Sequence, residues 1–93
     1  MMRRELFRTT QIFVNGKCFR LEYNLISDRM DSNPVYGLEV IKFSKEREEE
    51  RCFLPHITSY PHIIHSILNT MSIHSVTPCV TEDVLEDLLQ RYA

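Results

Sequence analysis

IFVNGKCF, residues Ile12 to Phe19, decides the architecture. An Asn15-Gly16 pair between two apolar, β-prone runs is a strong hairpin signal. A two-residue type I′ turn needs φ > 0 at both central positions, a region that Asn and Gly reach at little cost. The turn sets Val14 opposite Lys17, and the pairing propagates from there. Ile12 faces Phe19, Thr10 faces Leu21, Arg8 faces Tyr23 and Leu6 faces Leu25. Side chains alternate along a strand, so this register puts Leu6, Ile12, Val14, Phe19, Leu21, Tyr23 and Leu25 on one face. Thr9, Gln11, Arg20, Glu22 and Asn24 take the other, with Phe7, Phe13, Cys18 and Ile26 among them. The hairpin over residues 6–26 therefore has a core face and a mixed face.

Downstream, SDRMDSNP (residues 27–34) reads as a loop, because Ser, Asp, Asn and Pro supply turn chemistry and Pro34 bars Asn33 from helix. Tyr36 to Phe43 reads as a third strand, with Tyr36, Leu38 and Val40 on one face and Gly37, Glu39, Ile41 and Phe43 on the other. KEREEER (residues 45–51) has no apolar anchor and reads as a solvated hairpin tip. Cys52 to Ile57 reads as a shorter fourth strand. Pro55 cannot donate a ladder hydrogen bond, which places this strand at an edge.

The period then changes. Ser59 is a candidate helix cap, with Pro61 in the first turn. Ile63, Ile64, Ile67, Leu68 and Met71 fall within about 140° of arc at helical pitch, a single apolar stripe. His62, His65, Ser66, Asn69 and Ser72 lie opposite. Thr77-Pro78 reads as the cap and first residue of a second helix, whose stripe is Val84, Leu85, Leu88, Leu89 and Tyr92. The sum is an α+β fold: an antiparallel β-meander of about four strands with two C-terminal amphipathic helices packed on one face. Residues 1–93 read as a single domain, since 93 residues suffice for one ordinary core and not for two.

The formal charge of −2 provides no overall cationic field for nucleic acid or membrane. It conceals a split: residues 1–47 carry nine basic and six acidic groups, and residues 48–93 carry two basic and seven acidic. No run approaches the roughly 20 apolar residues of a membrane helix, and no secretory segment follows Met1, so a soluble, cytoplasmic protein without membrane contact is expected. Cys18, Cys52 and Cys79 are widely spaced, with no CxxC pair, and read as reduced, mostly packed residues.

Candidate chemistry is sparse. His62 and His65 are neighbours at i, i+3, with His56 a turn upstream, and the three are weak candidates for a metal or pH-responsive site. Glu82, Asp83, Glu86 and Asp87 radiate from the second helix, which suits docking of a basic partner better than metal capture in a cleft. Basic and aromatic residues interleave around Arg20, with Phe7, Phe13 and Lys42 or Arg8 nearby, which leaves a weak nucleic-acid-binding sheet as an alternative. Phosphate-cradling loops, nucleophile elbows, zinc-protease and EF-hand motifs are all missing. Neither an enzyme nor a cofactor is expected.

Several pieces of the second half resemble a known family. They are Tyr36-Gly37-Leu38-Glu39-Val40, the paired isoleucines Ile63-Ile64 with Ile67, and Val76-Thr77-Pro78 leading into Asp83-Val84-Leu85-Glu86-Asp87-Leu88-Leu89. Together they are similar to a family of short proteins of Gram-positive, spore-forming bacteria, known as a domain of unknown function. The resemblance covers roughly residues 21–90 and implies a bacterial cytosolic origin, with no activity or ligand attached. The functional expectation is a small non-enzymatic interaction or regulatory module that forms a homodimer or meets a protein partner. Its interface is expected on the mixed sheet face, at Phe7, Phe13, Ile41 and Phe43.

Overall fold

A computed structural model describes residues 2–92. Strands β1 (Arg3–Val14), β2 (Lys17–Met30), β3 (Asn33–Ser44) and β4 (Arg47–Thr58) form one antiparallel sheet in the order β1-β2-β3-β4. Helix α1 (Pro61–Ile73), a 3₁₀ turn (Pro78–Val80) and helix α2 (Thr81–Gln90) follow. This is the α+β meander with two C-terminal helices that the sequence pattern implies.

The first hairpin keeps its expected register from Val14 opposite Lys17 to Arg8 opposite Tyr23, and then shifts. Pairing resumes with Leu6 opposite Asn24, so Phe7 is the extra residue of a β-bulge. A one-residue slip exchanges the two faces. Leu6, expected in the core, is 56% exposed on the outer face. Phe7, expected on the outer face, turns to the helix side and packs against the core, its ring 6.1 Å from that of His65.

All three hairpins close with two-residue turns. Asn15 and Gly16 have φ of 51° and 78°, Asp31 and Ser32 have 51° and 69°, and Lys45 and Glu46 have 50° and 68°. The expected loop over residues 27–34 is thus almost entirely strand. Pro34 sits inside β3 because of how the ladder alternates. Met30 and Asn33 close the turn as a hydrogen-bonded pair, so the nitrogen of Pro34 points away from β2. On that side β4 has already ended, at Thr58 opposite Tyr36. The charged run is divided in the same way: Lys45 and Glu46 form the tip and residues 47–51 belong to β4, which is as long as β1 rather than shorter. Pro55 does lie on an edge strand. Gly37 is required where it stands, because a Cβ there would overlap the backbone of Leu54 and Pro55.

The core lies between one sheet face and the helices. Leu21, Tyr23, Leu38 and Val40 meet Ile64, Ile67, Leu68 and Met71 of α1, with Val76, Leu85 and Leu88 completing the cluster. The Tyr23 hydroxyl donates to the Val76 carbonyl at 2.8 Å, and burial pushes its pKa up to about 12. Ser72, expected on the wet side of α1, is buried; it accepts a 2.8 Å hydrogen bond from Arg8 Nη1 and donates to the Asn69 carbonyl. Neither expected side-chain cap forms. Tyr60 precedes α1 at its N-cap, and Thr77-Pro78 opens the 3₁₀ turn, so α2 starts only at Thr81, whose hydroxyl donates to the Thr77 carbonyl. Cys18 and Cys79 are exposed and only Cys52 is partly covered, which corrects the expectation of packed thiols.

Candidate functional site: the outer sheet face

The helices cover one side of the sheet, and the other side carries the most organised polar cluster among the described residues. Strand register arranges it in rows. Leu6, Asn24, Glu39 and Phe53 stand side by side across the four strands. Toward the Asn15-Gly16 turn come Thr9, Glu22, Ile41 and Arg51, then Gln11, Arg20, Phe43 and Glu48. Phe13 and Cys18 form the last pair.

Glu39 is the centre. It sits mid-strand in β3, flanked by Leu38 and Val40 in the core, and its side chain is 0% exposed. A buried carboxylate needs partners for both oxygens. Arg4 Nε lies 2.6 Å from Oε1 and Arg4 Nη2 donates to Oε2 at 3.2 Å. Asn24 Nδ2 donates to Oε1 at 3.1 Å, and Arg51 Nη1 donates to Oε2 at 2.8 Å. Arg51 also bonds Glu48, three residues earlier on β4, and this contact holds the Glu48 carboxyl below its ordinary value. Arg4 and Arg51 are 53% and 41% exposed, so the buried carboxylate is paired with two guanidinium groups whose side chains remain partly in water. Two arginines and two glutamates leave this cluster neutral. Arg20 lies over the Phe43 ring, 4.5 Å from its centroid, and pairs with Glu22 at 3.2 Å and Glu46 at 3.3 Å.

The four expected interface residues separate. Phe13 stands 74% exposed on the outer face, Phe43 lies half-buried beneath Arg20, and Ile41 is buried among its strand neighbours. Phe7 is on the opposite side, moved there by the bulge. Leu6 and Phe53 are exposed on the outer face instead. The bulge has no local sequence signal. The buried ion cluster has one: a lone glutamate inside the apolar run YGLEVIKF of an interior strand.

The histidines do not converge. His56 Nε2 lies 2.8 Å from Asp28 Oδ2, His62 packs near Tyr60, and His65 packs near Phe7. Among the described residues, no three His, Cys, Asp or Glu side chains come together as a metal-binding group. The His56 ring and the backbone N–H of Arg29 hold the Asp28 carboxyl below its ordinary value. Glu82, Asp83, Glu86 and Asp87 are exposed along α2. Beside them Leu85 and Leu89 face Leu54, Pro55 and Ile57 across an apolar groove of about 370 Å³. Burial, with Glu82 nearby, pushes the Cys52 thiol up. Among the described residues, no helix is long and apolar enough to cross a membrane.

No curated protein and no solved structure matches this chain. A match to the Family of unknown function (DUF6514) runs over residues 2–91 and takes in the bulged N-terminal hairpin as well as the segments that carry the resemblance; the chain belongs to that family.

Proposed function

We propose that this chain is a small non-enzymatic interaction module that self-associates as a homodimer through the outer face of its sheet, on the β1 side. The supporting observation is the exposure of Phe13 and Leu6 on a sheet face that no helix covers. Covering them removes apolar area from water. The adjacent ion cluster is already neutralised within the chain, so a partner surface strands no unpaired charge. The family resemblance adds a setting, the cytoplasm of a Gram-positive, spore-forming bacterium. Light scattering on a size-exclusion column tests the reading: a dimer at tens of micromolar, at least tenfold weakened by Phe13→Asp, is expected. A clean monomer at several hundred micromolar overturns it.

The contact between His56 and Asp28 favours a second reading, a pH-responsive surface near the Asp31-Ser32 turn. The ring Nε2–H donates to the ionised Asp28 carboxylate, and the contact is lost as that carboxyl gains a proton. The carboxyl chemical-shift titration of Asp28 in the native chain and in His56→Ala tests it, with a higher Asp28 pKa expected in the variant. Identical titration curves in the two proteins remove the pair as a switch.

A further inference from the structure

The two edges of the sheet are built differently. β4 carries Glu48, Glu49 and Glu50 along its length, and the nitrogen of Pro55 offers no donor, two devices that blunt an edge against pairing. β1 has neither device between Thr9 and Val14, a run of six β-prone residues, TTQIFV, without a charge or a proline. Val14 and Lys17 close a two-residue turn and so form a hydrogen-bonded pair. Alternation then turns the backbone groups of Ile12, Thr10 and Arg8 inward to β2. Those of Thr9, Gln11 and Phe13 point outward, with no strand beyond them among the described residues.

We infer that this edge is where two copies of the chain meet, β1 against β1 of the partner, antiparallel about a two-fold axis through Gln11. The inference rests on the homodimer part of the reading above and places the contact at the strand edge beside the outer face, with Phe13 at the junction. The occupant is a second copy because the segment is self-complementary. Its regular part runs from Arg8, after the bulge, to Val14, before the turn, and Gln11 is its midpoint. Pairing about Gln11 sets Gln11 opposite Gln11 and Thr9 opposite Phe13, so the six outward N–H and C=O groups of each copy, twelve in the pair, all find partners. The basic residues Arg3, Arg4 and Arg8 of the two copies are carried to opposite ends of the junction, where they do not repel. The two sheets become one of eight strands, with both helical layers on one side. Phe13 of each copy rests on Thr9 of the other, and the two outer faces join into a single surface.

The experiment uses cysteine cross-linking in a chain whose exposed thiols are removed by Cys18→Ser and Cys79→Ser. A hydrogen-bonded antiparallel pair spans about 5.5 Å between Cα atoms, within disulfide reach. Gln11→Cys is expected to form a covalent dimer under oxidised glutathione. Thr9→Cys, four positions from its own mate in this register, is expected to give less than a tenth as much. Gln11→Pro removes an outward N–H and no inward one; it is expected to keep the far-ultraviolet circular dichroism of the native sheet and to weaken self-association at least tenfold. Equal cross-linking at both positions, or none at Gln11→Cys, overturns the edge contact. If the native chain still dimerises and still responds to Phe13→Asp, the outer-face reading survives that result. A native chain that is monomeric at several hundred micromolar removes both.

Discussion

Removing both guanidinium groups from Glu39 is expected to destabilise the fold more than the sum of the single removals. The carboxylate is wholly buried, whereas Arg4 and Arg51 are half exposed, so the desolvation cost rests mainly on the acid. A hydrogen bond to a charged group contributes about 1.5–3 kcal/mol, and exposure of the donors discounts that. Arg4→Met and Arg51→Met are therefore expected to cost about 1 kcal/mol each, about 2 in sum, since one guanidinium remains in either variant. In the double variant only the Asn24 amide faces the carboxylate. Leaving a buried charge without its counter-ion costs about 3–5 kcal/mol, which puts the double variant near 4. Urea unfolding followed by circular dichroism at one protein concentration measures each value, with a constant m as the check on two-state behaviour. Glu39→Leu supplies the decisive comparison. In the native background it strands two half-exposed arginines and costs about 1–2 kcal/mol. In the double-Met background it removes the stranded charge and restores about 3 kcal/mol or more. If Glu39→Leu destabilises both backgrounds equally, the buried charge is not what the two arginines serve and the reasoning fails.

Three further outcomes follow from the fold. The Tyr23 phenol has its pKa raised to about 12, so the folded state keeps a proton that the unfolded chain releases near 10; the stability it contributes is complete below pH 10 and falls by about 2–3 kcal/mol as pH rises from 10 to 12. Subtracting the profile of Tyr23→Phe isolates this component, and parallel profiles would refute it. Replacing Lys45-Glu46 by Asn-Gly is expected to raise stability by about 1 kcal/mol, because both residues hold positive φ with ordinary side chains, and a lower urea midpoint would contradict that. Gly37→Ala is expected to cost about 3 kcal/mol, since its methyl group must displace the Leu54–Pro55 backbone, and an unchanged melting temperature would show that β4 yields there without penalty.

How much of this was legible in the sequence varied with the kind of signal. Asn15-Gly16 carries its own geometry, and the register it sets is correct for as long as each strand advances one residue per partner. The bulge at Phe7 breaks that condition through tertiary packing: an aromatic ring turned inward at that level reaches α1, and nothing in the neighbouring residues announces it. Asp31-Ser32 and Lys45-Glu46 make the same type of turn without glycine, so the polar runs around them look like loops. KEREEER lacks the alternation of a half-buried strand because the sheet there has charged side chains on both faces, with Glu50 paired to Lys42 on the helix side and Arg51 to Glu39 on the outer side. The two helical stripes were legible because an apolar face at helical period has few other uses. Glu39 could be assigned to the correct face, but its isolation from water depends on Arg4, 35 residues away, which strand alternation alone does not place.

The unbroken order of the strands has a consequence for how the chain acquires its structure. Each strand pairs only with its neighbours in sequence, through two-residue turns, so the ladder grows by closing short loops, the fastest route available to a sheet. On a ribosome the last strand is complete at Thr58, before any residue of α1 has been added. Ile64, Ile67, Leu68 and Met71, which cover Leu21, Leu38 and Val40, are all added later. Helix docking is therefore expected to be the late event, after an interval in which the apolar sheet face is open. Substitutions that weaken α1 prolong that interval, and their effect is expected in the yield of folded protein during expression as well as in equilibrium stability.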